Sequence, residues 1–392
     1  MHASTAQNIA ESTNKIIGYG VLVTDNDGII IGCSDVRRVG NMHEPSLEVV
    51  RTALPVTTSK EETSRTDDLK PGYTCPIILF DEVVGTISIA GPPRKVERYG
   101  LLVQKQAEIM LKEQSILEAK LRKEQAIRDL ARSILLYKPE EKNENSILLN
   151  GRELGYKLER CRIAVVVEIS PASSGEIQET ALCQVRRFFA DPAHLISSLA
   201  GFQIVLFLAP RSRQGNSGSK ETEDATVKLC RQLIKELEET GIHSRAGVGV
   251  EAKNLPELAL SARSAREALR VGGDLGNENE EVHSARSLVM ERFLAATPRG
   301  RRARYIELVF AELSQSKWDE ELLNTFLVWC ENPFSPKDAA KKLSIHRNTL
   351  QFRLKKLRQI LGLDPWNFHD SFVLWTALIL RKFEERVTFF KD

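Results

Sequence analysis

Arg347, Asn348, Gln351, Lys355 and Arg358 have side chains suited to the edges of nucleic-acid bases. Their steps of one, three, four and three place them along one side of a helix. Arginine pairs with guanine through two parallel hydrogen bonds, and asparagine and glutamine pair with adenine in the same way. Lys337, His346 and Thr349 fall in the same stretch and complete a candidate set for contact with double-stranded DNA. Between Ser335 and Arg358 there are eight Lys/Arg against one acid, Asp338, although the whole chain carries a formal net charge of only +2. The positive charge is therefore a local concentration, of the kind that neutralises phosphates and makes binding salt-dependent.

Two loops near the N-terminus suit a small anion. In Arg37 to Ser46, Arg38 offers a planar fork for a carboxylate, Gly40 lets backbone approach, and His43 can donate from either ring nitrogen. Asn41, Met42, Glu44 and Ser46 share that loop, and Pro45 marks a first helical turn whose free amides attract anions. In Lys70 to Ile77, Lys70, the amide of Gly72 and the hydroxyls of Tyr73 and Thr74 add further donors.

The elements that must position these groups are legible in outline. Ser335 and Pro336 open a helix, with Asp338 as the acidic partner of the cap. Ala339, Ala340 and Leu343 form its small-residue face, Ser344-Ile345 breaks the pattern, and a second helix runs from about His346 to Leu361. Leu350, Leu354, Leu357 and Leu361 form its buried stripe. From Gly20 to Gly91 short strands alternate with turns: Val21–Thr24, Gly28–Ile31, Ile77–Phe80 and Val83–Ala90. A helix covers Pro45 to Leu54, and the block predicts a small sensory α/β fold around an antiparallel sheet.

From Val96 to Tyr137 the pattern is one long helix, with Leu102, Ile109, Ile116, Leu121, Ile127, Leu130 and Ile134 as a heptad-like stripe for pairing with a second copy. Residues 139–145 read as a polar linker. Strands at Cys161–Ile169, Phe202–Leu208 and Ser244–Val250 alternate with helices at Ile177–Phe189, Ala225–Thr240 and Leu255–Val271. The Gly/acid-rich stretch from Gly272 to Glu281 reads as a loop, and everything from about Val282 onward as helical.

A length of 392 residues allows two to four domains. Six cysteines lie far apart and seven histidines are scattered, which disfavours a disulfide framework, a zinc site and a metal enzyme. Met1 to Lys15 is polar and the longest apolar run, Phe372–Leu380, is too short to span a bilayer, so a soluble cytoplasmic chain without cofactor is expected.

At Ile345 to Leu357 the sequence carries Ile-His-Arg-Asn-Thr-Leu, two residues, then Arg-Leu. That string resembles the C-terminal helix-turn-helix of the purine-catabolism and carbohydrate-diacid regulators of bacteria. Leu322 to Leu327 resembles the helix that precedes it there. Arg38-Val-Gly, two residues, His43-Glu-Pro-Ser46 is similar to the sugar-diacid recognition domain, as are Lys70-Pro-Gly72 with Pro76-Ile77 and the run Gly85 to Gly91. Thr74 departs from an asparagine common in that family.

The resemblance implies a multidomain α/β plus all-α chain. Residues 1–95 would form a PAS/Cache-like effector-sensing domain, 96–138 a coiled-coil signalling helix, 146–275 a degenerate GGDEF-like α/β domain, and 282–392 a helical DNA-binding domain with the helix-turn-helix at 335–361. A cyclase of that fold places metal-binding acids in the turn before the Phe202 strand, where this chain has Leu199-Ala-Gly-Phe-Gln203. The family implies a homodimeric or larger activator, not an enzyme, that binds a pseudo-palindromic operator and senses a sugar diacid or a hydroxy acid such as glycerate. Alternatives are a nucleotide-responsive protein acting through the middle domain, a nucleic-acid scaffold without ligand control, and a regulator with a purine or amino-acid effector.

Overall fold

The computed structural model describes residues 1–60, 70–170, 175–210, 219–275, 280–311, 320–332 and 335–389. They fall into two compact units, Met1–Lys123 and Glu124–Asp392.

The first unit opens with α1 (Ala3–Ile17), followed by β1 (Gly20–Thr24), β2 (Ile30–Cys33), α2 (Glu44–Thr52), β3 (Val56–Thr58), β4 (Gly72–Leu79), β5 (Glu82–Ala90) and the start of α3 (Pro93–Leu136). The five strands form one antiparallel sheet in the order β2-β1-β5-β4-β3. Its turns follow local chemistry. Asp25 Oδ1 accepts from the amides of Asp27 (3.0 Å) and Ile29 (2.9 Å), closing the first hairpin. Phe80 and Asp81 take φ of 52° and 65°, the two-residue geometry whose twist matches paired strands.

Side chains alternate along a strand, so each face of the sheet has its own chemistry. Val21, Val23, Cys75, Ile77, Ile87 and Ile89 form the apolar face, covered by Ala6, Ile9 and Ala10 of α1 and by Val96, Val103, Ala107 and Leu111 of α3. Two close approaches tie α3 to β4. Gly100 leaves room for the Tyr73 ring, whose Cε1 lies 2.1 Å from where a Cβ would stand. The Glu108 carboxylate accepts the Ile78 amide (3.3 Å) where the β4–β5 register shifts. The opposite face carries Leu22, Thr24, Thr74, Thr86 and Ser88, and α2 lies over it.

The sequence reading missed α1, although Ala6, Ile9, Ala10 and Thr13 keep helical spacing among its polar residues. It also placed the second strand two residues early and began β4 five residues late. The stripe expected along α3 is not a single seam: Leu102, Ile109, Ile116 and Leu121 are exposed, whereas Ile127 is buried and Leu130 and Ile134 join the second unit's core. The two ends of α3 bury different faces because they pack on different sheets.

In the second unit come α4 (Glu144–Glu153), β6 (Arg162–Ile169), α5 (Gly175–Phe188), β7 (Leu195–Leu199), β8 (Gln203–Leu208), α6 (Ser219–Glu239), β9 (Ser244–Ala252), α7 (Leu255–Asp274) and β10 (Val282–Ser284). The sheet order is β10-β9-β6-β8-β7. β6 is central and apolar on both faces: Ala164 and Val166 meet Ile134, Leu258 and Ala262, while Ile163, Val165 and Val167 meet Val185, Leu233 and Ile234. A strand buried on both sides reads as a continuous apolar run, and this one does.

Three expectations change here. The segment from Val282 is not wholly helical, since Val282–Ser284 pairs in parallel with Ala246–Val248. Gly272 and Gly273, expected in a loop, end α7; residues 276–279 of that stretch lie outside the described ones. The expected linker already contains a short 3-10 turn, Pro139–Glu141, and the first residues of α4.

The remaining helices are α8 (Val289–Ala295), α9 (Arg299–Val309), α10 (Glu320–Glu331), α11 (Pro336–Lys342), α12 (Arg347–Leu361) and α13 (Phe368–Phe389). α13 serves two cores. Leu374, Ala377 and Leu378 join the cluster around α12, and Ile379, Leu380 and Phe383 meet Val271 and Leu294. Arg299 and Arg302 bind Glu384 at 2.7 and 3.2 Å and brace α9 on α13. Among the described residues no helix is long and apolar enough to cross a membrane.

Candidate DNA interface and effector cleft

The α11–turn–α12 unit is built by local signals. Ser335 Oγ accepts the Asp338 amide (3.4 Å) and donates to its carboxylate (2.7 Å), a cap worth about 1 kcal/mol. Ser344 turns the chain at φ 54°, and His346 caps α12 by accepting the Asn348 amide at 3.2 Å. Leu350, Leu354, Leu357 and Leu361 are buried, each stabilising the packing by roughly 1.5–3 kcal/mol. Their partners include Phe326, Trp329, Ala339 and Ala340. The Trp329 indole N–H donates to the Pro365 carbonyl at 2.9 Å, so the core also fixes the chain beyond α12.

The expected DNA-facing residues divide by position. Arg347, Asn348, Thr349 and Lys355 are exposed on α12, and Lys337 is exposed on α11. Gln351 is half-buried. His346 is exposed but already acts as a cap. Arg358 is exposed and paired with Asp364 at 3.1 Å. Among the cations of this stretch, Arg358, Lys342 and Arg353 are held by acids from outside it, the last two by Glu331 and Glu321. Arg353 also donates to Thr325 (3.3 Å), so it locks α12 onto α10 and does not face out. Only the burial pattern reveals that role, because its spacing places it beside the leucine stripe.

In the first unit, Arg38, His43 and Lys70 line one cleft together with Ser34, Asp35 and Ser88. The two loops singled out in the sequence thus meet over the polar face of the sheet. Asp35 is itself engaged: Arg37 binds it through two contacts of 3.0 and 3.1 Å, which hold its carboxyl below the usual range.

A chain of hydroxyls runs from His43 through the sheet. Thr24 Oγ1 lies 3.1 Å from the Asp25 carbonyl and 2.9 Å from Thr86 Oγ1, Thr86 lies 2.6 Å from Ser46 Oγ, and Ser46 lies 2.7 Å from His43 Nδ1. With the Thr24 proton on the Asp25 carbonyl, the chain runs in the direction that puts the imidazole proton on Nδ1 and leaves Nε2 as an acceptor. Burial, with Arg38 nearby, pushes the His43 pKa down to about 4, so the ring is neutral at physiological pH.

Other expected members are placed elsewhere. The amides of Gly40, Asn41, His43 and Ser46 donate to main-chain carbonyls at 2.8–3.2 Å, so the anticipated cradle of backbone donors is used internally. Asn41, Met42 and Glu44 are exposed. Gly72 is buried and paired across the sheet. Tyr73 points to the apolar face against Gly100, opposite Thr74, whose hydroxyl donates to Ser88 (2.9 Å). The expectation that both hydroxyls serve one site fails on strand alternation. Thr86 and Ser88 were overlooked as site residues, although Thr-Ile-Ser-Ile signals a strand with one polar face.

In the second unit the β7–β8 turn holds Gly201 (φ 76°) and Phe202 (φ 57°). The nearby Glu168 at the end of β6 accepts from Arg245 (2.8 Å) and Gln203 (3.3 Å). A guanidinium occupies the carboxylate that could otherwise face a cation.

Comparison with known proteins yields three family models in chain order: sugar diacid recognition over residues 1–134, a GGDEF-like domain over 140–271, and a PucR C-terminal helix-turn-helix domain over 322–380. The chain is similar to the carbohydrate diacid regulator of Escherichia coli, 26% identical over 96% of each chain. It is also similar to the proline-responsive transcriptional activator PutR of Bacillus subtilis, 28% identical over 35% of this chain and 34% of that one. The crystal structure of a regulator of polyketide synthase expression from Bifidobacterium adolescentis covers 67% of this chain and 99% of its own, at 18% identity and a TM-score of 0.31. That likeness is too distant to carry an argument.

Proposed function

The chain belongs to the carbohydrate diacid regulator family, and from that premise we propose that it is a cytoplasmic transcription activator switched by a small hydroxy acid. The supporting observation is the convergence of Arg38, Lys70 and His43 on one cleft. Arg38 and Lys70 supply positive charge for a carboxylate. His43 Nε2, held as an acceptor, cannot meet a carboxylate oxygen, which has no proton to give. It needs a ligand hydroxyl. Sugar diacids and glycerate carry both groups on adjacent carbons.

Residues 1–95 act as the PAS-like sensor, α3 as the signalling and dimerisation element, residues 146–275 as the non-catalytic GGDEF-like spacer, and residues 282–392 as the DNA-binding part. Ligand binding shifts the chain between two packings of α3 only as far as it prefers one of them. A two-fold dimer sets its recognition helices about 34 Å apart, which calls for a pseudo-palindromic operator.

A melting screen tests the effector half of this account. Glycerate, glucarate and galactarate should raise the melting temperature, and analogues lacking the hydroxyl next to the carboxylate should raise it less. Thr86→Val, which interrupts the hydroxyl chain, should remove the difference between each acid and its deoxy analogue. Equal stabilisation by both in the unaltered chain excludes His43 as the discriminating group.

A further inference from the structure

Phe352 is a large apolar side chain left 67% exposed in the middle of α12. Its position is geometric. Two residues beyond buried Leu350, it lies roughly 200° round the helix at 3.6 residues per turn, directly opposite the leucine stripe. Asn348, Phe352, Lys355 and Gln359 follow one another at i, i+4, i+7 and i+11, and all four are exposed. Phe352 thus stands on the ridge farthest from the core, between an amide and a cation. Exposed aromatic carbon on such a ridge lacks an apolar partner within its own domain core.

The surroundings indicate what that partner is. The stretch from Ser335 to Arg358 is strongly cationic, which repels a basic surface and attracts a polyanion. In the major groove of DNA the apolar feature presented by base edges is the C5-methyl of thymine, and phenylalanine is among the side chains that contact it. A helix inserted with its exposed ridge inward brings Phe352 to the groove floor, flanked by Asn348 and Lys355.

We propose that Phe352 reads thymine, its ring packing on the C5-methyl of one base in each half-site. The inference rests on α12 being the helix that enters the groove. It adds a steric and hydrophobic element to the polar readout by Arg347 and Asn348.

The test uses full-length protein and duplexes recovered by its selection from a random-sequence pool. Each thymine is replaced in turn by deoxyuridine, which removes the methyl and leaves every hydrogen-bonding group in place. At one thymine per half-site the unaltered protein should lose about three- to fivefold in affinity, the worth of one buried methyl. Phe352→Ala should bind the thymine and uracil duplexes equally at that position, and Phe352→Leu should restore part of the preference. If no thymine is methyl-sensitive, or if Phe352→Ala keeps the sensitivity, the assignment is overturned. If Arg347→Ala also leaves base preference untouched, α12 itself is not the reading helix, which separates the two failures.

Discussion

The two sheets among the described residues have five strands each and helices packed on them, yet they divide polar and apolar side chains differently. In the first, β5 alternates Thr86 and Ser88 with Ile87 and Ile89, so one face is dry and the other is lined with hydroxyls. In the second, β6 buries apolar side chains on both faces, and the acid at its end, Glu168, is neutralised by Arg245. The first sheet gathers hydroxyls on one face, where they bond one another and His43, and the second spends both faces on its core.

The sharpest way to break this contrast is to delete core on one side and hydroxyl on the other. Phe207→Ala, at a fully buried position of β8, should cost about 3–5 kcal/mol in chemical denaturation, and Ser88→Ala in β5 about 1 kcal/mol or less. Similar losses at the two sites would remove the distinction.

The next largest effect is the pH dependence that His43 contributes in the first sheet. The unfolded chain protonates His43 near 6.5, while the folded site resists until about 4. This contribution is therefore complete above about pH 6.5 and is lost as pH falls towards 4, by on the order of 3 kcal/mol. His43→Gln should flatten that slope in denaturation curves recorded across the range.

Arg38→Ala should lower affinity for the stabilising acid by about 1.5–3 kcal/mol, abolishing the melting shift, while effector-free DNA binding stays as it was. An unchanged shift takes Arg38 out of the cleft chemistry. The smallest effect is expected at Glu168→Gln, whose pair with Arg245 is partly exposed. It should change stability by less than about 1 kcal/mol and produce no turnover of nucleoside triphosphates. Turnover, by product analysis, would mean that the second sheet does hold latent chemistry.

Local signals carried much of this into the sequence. The Ser335 cap, the Leu350–Leu361 stripe and the Asp25 turn each depend on residues within a few positions of one another, and all three stand in the structure. The cleft lined by Arg38 and Lys70 was legible only as two loops, because what unites them is cross-strand pairing that spacing does not encode. Tyr73 went wrong for a related reason: side-chain type was read without the alternation that sends neighbours to opposite faces. Arg353 entered the sequence reading only as part of the cationic count, and its pairing with Glu321 on another helix is visible only in the fold. β10 escaped notice because three residues cannot announce a strand without their partner β9.

One strand in the first unit is touched from both sides. Thr74 and its neighbour Tyr73 differ by a single peptide, yet one side chain joins the hydroxyl lattice and the other wedges against Gly100, with the Glu108 grip a few residues along. A displacement of β4 would press on the helix through the Tyr73 ring and pull on it through the Glu108 carboxylate. Transmission would then depend on the stiffness of a single β-strand, with no hinge required.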